Sequence, residues 1–184
     1  MNRKALKKMI EEGRLRLSFE EKVTHYMIVI FLLIPTLFSL YSLFEYYILK
    51  KHTGVRTPWE MLDFSLPFAI LAILFFIIQY RRLRFKMVKT NLTRDELQEI
   101  IINIGTKLKW KPLVNEEDIF IAETSAGWTG SWGERITIIF DENRILINSV
   151  CNPAGPSSIA SMGRNRKNTQ SFIKAIDNTV LRAH

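Results

Sequence analysis

Two long apolar segments, joined by a short polar loop, constrain the fold of this chain more than any other feature. The segments are residues 26–49 and 61–80, and the stretch 26–44 contains no charged residue. A helix rises about 1.5 Å per residue, so each segment covers roughly the 30 Å hydrocarbon core of a bilayer. The pattern predicts a transmembrane hairpin of two helices. Two buried core helices of a soluble protein are the alternative, although a soluble domain rarely places two such segments so close together.

Basic residues flank this hairpin unevenly. Seven Lys and Arg residues precede it and five follow within residues 81–90, whereas the loop 50–60 holds three. Cytoplasmic flanks carry the excess of Lys and Arg, so we expect a multi-pass protein of the cytoplasmic membrane with both termini in the cytoplasm. Glu45 and Asp63 lie near the outer end of the hairpin. They either line an ion path in an oligomer or simply face headgroups and water.

The two halves of the sequence differ in net charge. The formal net charge is +8, and residues 1–90 hold fifteen basic against seven acidic side chains. Residues 91–184 hold eleven of each and lack the basic footprint of a nucleic-acid-binding domain. The single cysteine, Cys151, excludes an internal disulfide and agrees with a reducing compartment. We therefore expect the lipid bilayer, and no nucleic acid, as a partner.

Four parts follow along the chain. We expect a basic cytoplasmic arm at 1–25, the hairpin at 26–80, a basic juxtamembrane segment at 81–90 and a cytoplasmic α+β domain at 91–184. In the arm, Leu6, Met9 and Ile10 recur at helical spacing between lysines. This spacing suits an amphipathic helix on the inner leaflet. A solvated basic arm that acts only as a topology signal suits the same residues.

The α+β domain begins with a strong helix signal. Thr93 and Glu96 have the spacing of a capping box, and Leu92 and Leu97 that of a hydrophobic staple. Apolar residues then recur at helical period and predict a core-facing helix of about fifteen residues. A second helix is predicted at 168–181. The two apolar stripes are Leu97, Ile100, Ile101, Ile104 and Leu108, and Phe172, Ile173, Ile176 and Val180.

Strand patterns fill the region between these helices. Residues 118–124, 135–141 and 144–150 alternate as strands do, and the last two form a hairpin across Glu142 and Asn143. Residues 110–114 add a further strand, which Pro112 confines to an edge. The prediction is an antiparallel sheet of three or four strands with both helices on one face.

Two loops of this domain are candidate binding sites. In loop 125–134, Trp128 and Trp132 lie among glycines. They either contact a protein partner, fold back on the sheet, or dip into the membrane interface. In loop 151–168, Arg164, Arg166 and Lys167 precede the last helix, and basic side chains near a helix start suit an anion or a lipid headgroup. A solvated basic loop explains the same residues.

Catalytic and metal-binding signals are missing from the sequence. The histidines are His25 and His52, at predicted membrane boundaries, and His184 at the end, so no base is placed beside Cys151. We expect Glu134, Asp141 and Glu142 to face solvent, with no cofactor and no metal. The leading hypothesis is a non-enzymatic accessory protein, bound to another membrane protein or to a second copy. A module for a phosphate-bearing ligand or headgroup is second, and a membrane-bound enzyme third.

Overall fold

The computed structural model describes residues 3–51, 54–126, 132–155, 161 and 163–182. The chain divides into two compact units, residues 25–81 and residues 1–24 together with 82–184. We refer to them as the hairpin unit and the sheet unit. The helices and strands in chain order are α1 (Arg3–Glu12), α2 (Phe19–Tyr47), α3 (Pro58–Arg82), β1 (Lys86–Lys89), α4 (Arg94–Leu108), β2 (Lys111–Asn115), β3 (Ile119–Glu123), β4 (Glu134–Asp141), β5 (Arg144–Cys151) and α5 (Arg164–Arg182).

Both long helices have the length and composition of membrane spans. They contain 29 and 25 residues, and only 11% of the most apolar window of each is buried. A core helix of a soluble protein would bury most of such a window, so this exposure favours membrane spans over core helices. Pro35 lies inside α2 and Pro67 inside α3.

The seam of the hairpin unit is made of small and polar residues. The buried residues of α3 recur every seven positions: Pro58, Ser65, Ala72 and Gln79. Ser39 of α2 donates a hydrogen bond of 2.8 Å to a backbone carbonyl of α3. Small residues allow helices to approach closely within a bilayer, and hydroxyl groups satisfy backbone carbonyls there. The large apolar side chains consequently point away from the seam.

Capping boxes begin three of the helices. Ser18 and Glu21 exchange side-chain and backbone hydrogen bonds at the start of α2, and Thr57 and Glu60 do so at α3. At α4 the predicted box is confirmed, since the Thr93 hydroxyl accepts from Glu96 N and the Glu96 carboxylate accepts from Thr93 N. Each box satisfies two backbone donors that a helix start leaves unpaired.

The sheet has five strands, one more than the upper limit expected from the sequence. Its order is β1-β5-β4-β3-β2, and every neighbouring pair is antiparallel. The extra strand is β1, which lies in the segment predicted as a basic juxtamembrane stretch. A four-residue run with Lys86 and Lys89 at its ends has no strand pattern of its own, so pairing with β5 creates the strand. The Pro112 strand lies at the opposite edge, as predicted.

The turn between β4 and β5 lies where the hairpin was expected. Asp141 pairs with Arg144, which leaves residues 142 and 143 as the loop. Within this loop Glu142 adopts the left-handed conformation, with φ 46°.

The first core of the sheet unit lies between the sheet and helices α4 and α5. Both predicted stripes contribute to it, with Leu97, Ile100 and Ile101 from α4 and Phe172 and Ile176 from α5. Partly buried residues from the same stripes pack against this cluster. The prediction that these two helices share one face of the sheet is therefore confirmed.

A second core covers the opposite face of the sheet, for which the sequence predicted no cover. Its sheet residues, Ile119, Ile139, Leu146 and Val150, alternate along the strands with those of the first core. Strands apolar on both sides need a cover on both sides. The cover is α1 and its flanking chain, and both expectations for the arm, a leaflet helix or a solvated tail, are corrected. Its buried cover residues are Leu6, Met9, Leu15, Leu17, Leu83 and Phe85.

The chain on either side of the hairpin unit forms part of this cover. Leu15 N donates to Leu83 O at 2.8 Å, and Phe85 N donates to Gly13 O at 2.9 Å. The side-chain amide of Asn148 donates to the carbonyls of residues 82 and 84. The segments 13–17 and 82–85 are thus tied to each other and to β5.

Candidate functional site

The two loops singled out from the sequence meet at one end of the sheet. Asn152 N donates to Gly133 O at 2.9 Å, which joins the second loop to the first. Arg164 reaches back from the start of α5 and donates through Nη2 to Ser125 O at 3.2 Å. A methyl group built on Gly155 would lie 3.7 Å from the Cβ of Trp132. Residues 124–126, 132–134, 151–155 and 164 therefore form one surface, which we call the loop platform.

The centre of the loop platform is a buried carboxylate. Glu134 is 0% exposed, and its Oε2 accepts a hydrogen bond of 2.5 Å from the hydroxyl of Thr124. The same oxygen lies 3.0 Å from Nε of Arg164. The Thr124 hydroxyl also accepts from Glu134 N at 2.9 Å. The expectation that Glu134 faces solvent is wrong, because its charge is compensated inside the protein by an arginine thirty residues later in the chain.

Gly133 makes this arrangement possible. Its φ is +103°, and a Cβ atom at this position would lie 2.2 Å from the carbonyl oxygen of Thr124. Only glycine combines this dihedral angle with so close a backbone approach. The turn places Trp132 outside and Glu134 inside, two residues apart.

A chain of polar side chains runs from the platform into the first core. Trp110 Nε1 donates to Asn168 Oδ1 at 3.1 Å, and the Asn168 amide donates to the Ser149 hydroxyl at 3.1 Å. Ser149 in turn donates to Asn165 Oδ1 at 3.1 Å. Buried polar groups need such partners to be tolerated. These side-chain hydrogen bonds fasten the first two turns of α5 to β5 and so hold Arg164 in place.

Cys151 lies beside Glu134 in the sheet register. Burial raises the pKa of the Cys151 thiol above its usual range, although the charge of Arg82 and a contact from Asn165 act in the opposite direction. A thiol with a raised pKa is a weak nucleophile at neutral pH. Across the described residues, no group of three or more His, Cys, Asp or Glu side chains is placed to hold a metal ion.

The residues predicted as an anion site differ in their exposure and in their partners. Arg164 is engaged with Glu134 and Thr124, whereas Arg166 and Lys167 are exposed in the first turn of α5. Trp132 is 56% exposed, and Trp128 lies outside the described residues. Thr124 and Glu134 are the platform residues that sequence reasoning missed. No local sequence pattern indicates that they are part of a site, because their partner Arg164 is distant in the sequence.

Comparison of the chain with protein-family models, with curated proteins and with solved structures found no match.

Proposed function

We propose that this chain is a non-enzymatic accessory protein of the cytoplasmic membrane that presents the loop platform to a protein partner. The hairpin unit spans the bilayer, and both termini with the sheet unit lie in the cytoplasm. The partner is another membrane protein or a second copy of this chain. The proposal rests on how the platform holds Trp132.

The observation that carries the proposal is an exposed tryptophan on a constrained backbone. Trp132 is 56% exposed, whereas Trp110 in the first core is 7% exposed. Gly133 and Glu134, the next two residues, are held by backbone hydrogen bonds to Asn152 and Thr124. A tryptophan ring offers a large area for burial, and a prepositioned ring loses little entropy on binding. Tryptophan is also enriched among residues that dominate interface energies.

The membrane placement is supported by length, exposure and charge. The two apolar helices leave most of their side chains outward, as lipid contact requires. The excess of Lys and Arg before and after the hairpin supports a cytoplasmic location for both flanks. Cys151 as the sole cysteine agrees with that compartment.

A non-catalytic role is supported by the chemistry of the platform. Its carboxylate is buried in an ion pair, and burial raises the pKa of its thiol. General bases and nucleophiles work when their pKa is tuned toward the working pH and a substrate reaches them. Glu134 is 0% exposed and paired with Arg164, so a substrate does not reach its carboxylate, and the raised pKa of the Cys151 thiol makes it a weak nucleophile at neutral pH.

The alternative function is a binding module for a phosphate-bearing ligand or lipid headgroup. Arg166 and Lys167, exposed in the first turn of α5, favour it. Arg164 adds less than the sequence suggested, because Glu134 already compensates its charge. The platform therefore favours a protein partner over an anion.

The test is co-purification of the full-length protein in mild detergent, followed by mass spectrometry. Trp132→Ala should release a stoichiometric partner while the melting temperature stays unchanged. Loss of an interface tryptophan costs about 2 kcal/mol, or roughly thirtyfold in affinity. Trp59→Ala is the matched control, since Trp59 is 57% exposed but lies in the hairpin unit.

Two results would contradict the proposal. One is a partner that remains bound to Trp132→Ala as firmly as to Trp59→Ala. The other is a melting temperature that falls as far as in Trp110→Ala, for which removal of a core tryptophan predicts a loss of about 3–5 kcal/mol. That second result would place Trp132 in the packing of the sheet unit.

A further inference from the structure

Helix α1 has two sides with different surroundings. On the inner side, Leu6 and Met9 are 9% and 2% exposed and belong to the second core. The side chains that point outward are mostly basic and include Arg3, Lys4, Lys7 and Lys8, all exposed. We call these four residues the basic side of α1.

The second core changes what α1 can do at a membrane. An amphipathic helix binds a bilayer by inserting its apolar face between headgroups. In α1 that face is already covered by sheet residues such as Ile139 and Leu146. Insertion of α1 would leave the second face of the sheet without its cover, so the contact available to this helix is electrostatic.

The segment that contains α1 carries an excess of basic charge, although Arg3 and Lys7 share a groove with the acidic residues Asp118, Asp141 and Glu142 of the sheet unit. Residues 3–16 hold six basic side chains against Glu11 and Glu12, and Glu12 is 3.7 Å from Lys8. Elsewhere in the sheet unit, residues 91–184 carry equal numbers of each sign, and residues 82–90 add four basic side chains directly after the hairpin unit. A nucleic acid would be expected to need a wider basic surface than one short helix offers.

The short connection to the first apolar helix favours a bilayer as the occupant. Six residues, 13–18, join the end of α1 to the start of α2, and six extended residues reach at most about 20 Å. Part of this connection is also tied to residues 83–85. The basic side of α1 is thus separated by only a short length of chain from the start of α2.

We propose that the basic side of α1 binds anionic lipid headgroups of the leaflet next to the sheet unit. This inference rests on the membrane location proposed above. The contact is purely electrostatic, because the apolar side of α1 stays on the sheet. Each Lys or Arg close to an anionic leaflet strengthens the contact by roughly fivefold, so two fewer charges should weaken it by about 25-fold.

The experiment uses the full-length protein in vesicles whose headgroups carry a nitroxide quencher. A fluorophore is attached at Lys8→Cys in a Cys151→Ser background. Vesicles of phosphatidylcholine alone are compared with an equal mixture of phosphatidylcholine and phosphatidylglycerol. Quenching at position 8 should rise in the anionic vesicles and return to the neutral value at high salt. A fluorophore at Lys174→Cys, on the exposed side of α5, should show no change.

A charge variant sharpens the result. Lys4→Gln with Lys7→Gln should abolish the rise at position 8 without moving the melting temperature, since both side chains are exposed. Equal quenching in the two kinds of vesicle would overturn the inference, as would quenching that ignores salt. If lipid charge has no effect and the glutamine pair instead abolishes binding of a single-stranded RNA, the surface belongs to nucleic acid.

The same labelled position separates this inference from the proposed function. An impermeant thiol reagent applied to intact cells should leave position 8 unmodified and should react at Lys51→Cys, in the loop between the apolar helices. Reaction at position 8 before lysis would refute the cytoplasmic orientation itself. Protection in cells with no response to lipid charge would refute the headgroup contact alone.

Discussion

Arg164→Met tests whether the loop platform is organised around its buried ion pair. The change keeps most of the side-chain volume but removes the cation that lies 3.0 Å from Oε2 of Glu134. Glu134 is 0% exposed, so its carboxylate would remain in the interior without the charge of Arg164. A buried charge without its counter-ion is strongly destabilising.

The magnitude follows from the burial of the two partners. Removal of one member of a buried pair costs about 3–5 kcal/mol in general. The Arg164 side chain is 28% exposed, so water reaches the pair from one side and the lower end of this range, about 3 kcal/mol, applies. For a unit of this size, about 4 °C of melting temperature is lost per kcal/mol. We therefore expect a decrease of about 12 °C.

The assay is thermal unfolding of the full-length protein in detergent, followed by near-ultraviolet circular dichroism. Arg166→Met is the matched control, because Arg166 is exposed in the same helical turn and should change stability by less than about 0.5 kcal/mol. Glu134→Gln combined with Arg164→Met should recover a large part of the loss, since no buried charge is then left. Equal melting temperatures for the two methionine variants, or additive losses in the double variant, would refute the reasoning.

The remaining predictions concern the turn and the thiol of the platform. Gly133→Ala should cost about 3 kcal/mol or more, because its Cβ would lie 2.2 Å from Thr124 O. Gly163→Ala, with φ +84° and open space around it, should cost about 1 kcal/mol; equal losses by denaturant unfolding would contradict the role of this contact. The raised pKa of Cys151 predicts alkylation that is slow at neutral pH and accelerates only above the ordinary thiol range, measured by mass spectrometry. Alkylation as fast as at Lys174→Cys would argue against burial of the thiol.

Only part of the candidate site was visible in the sequence. Glycines and tryptophans marked loop 125–134, and basic residues marked the start of α5. That these loops meet depends on the register that places Glu134 opposite Cys151. Arg164 looked like a residue for external anions, since nothing in its neighbourhood indicates an internal partner thirty residues earlier in the chain.

The sequence by itself determined those elements whose signals are local. The two apolar segments are long enough to form α2 and α3 without any other contact. The capping box of Thr93 and the period of the stripe from Leu97 define α4 within one stretch of chain. The hairpin of β4 and β5 follows from two alternating runs separated by two residues. In each of these cases, the residues that decide the structure are neighbours in the sequence.

The tertiary structure alone decided the cover of the second face, the fifth strand and the burial of Glu134. Ile138 and Ile139 are adjacent and both 0% exposed, so β4 needs apolar partners on both sides of the sheet. The partners on the second face come from residues 6–17 and 83–85, which the hairpin unit separates by more than sixty positions in the chain. Residues 86–89 form β1 because they pair with the free edge of β5. The burial of Glu134 is tolerated because Arg164 forms an ion pair with it. Each of these outcomes depends on contacts between distant segments, which hydrophobic period and helix capping do not encode.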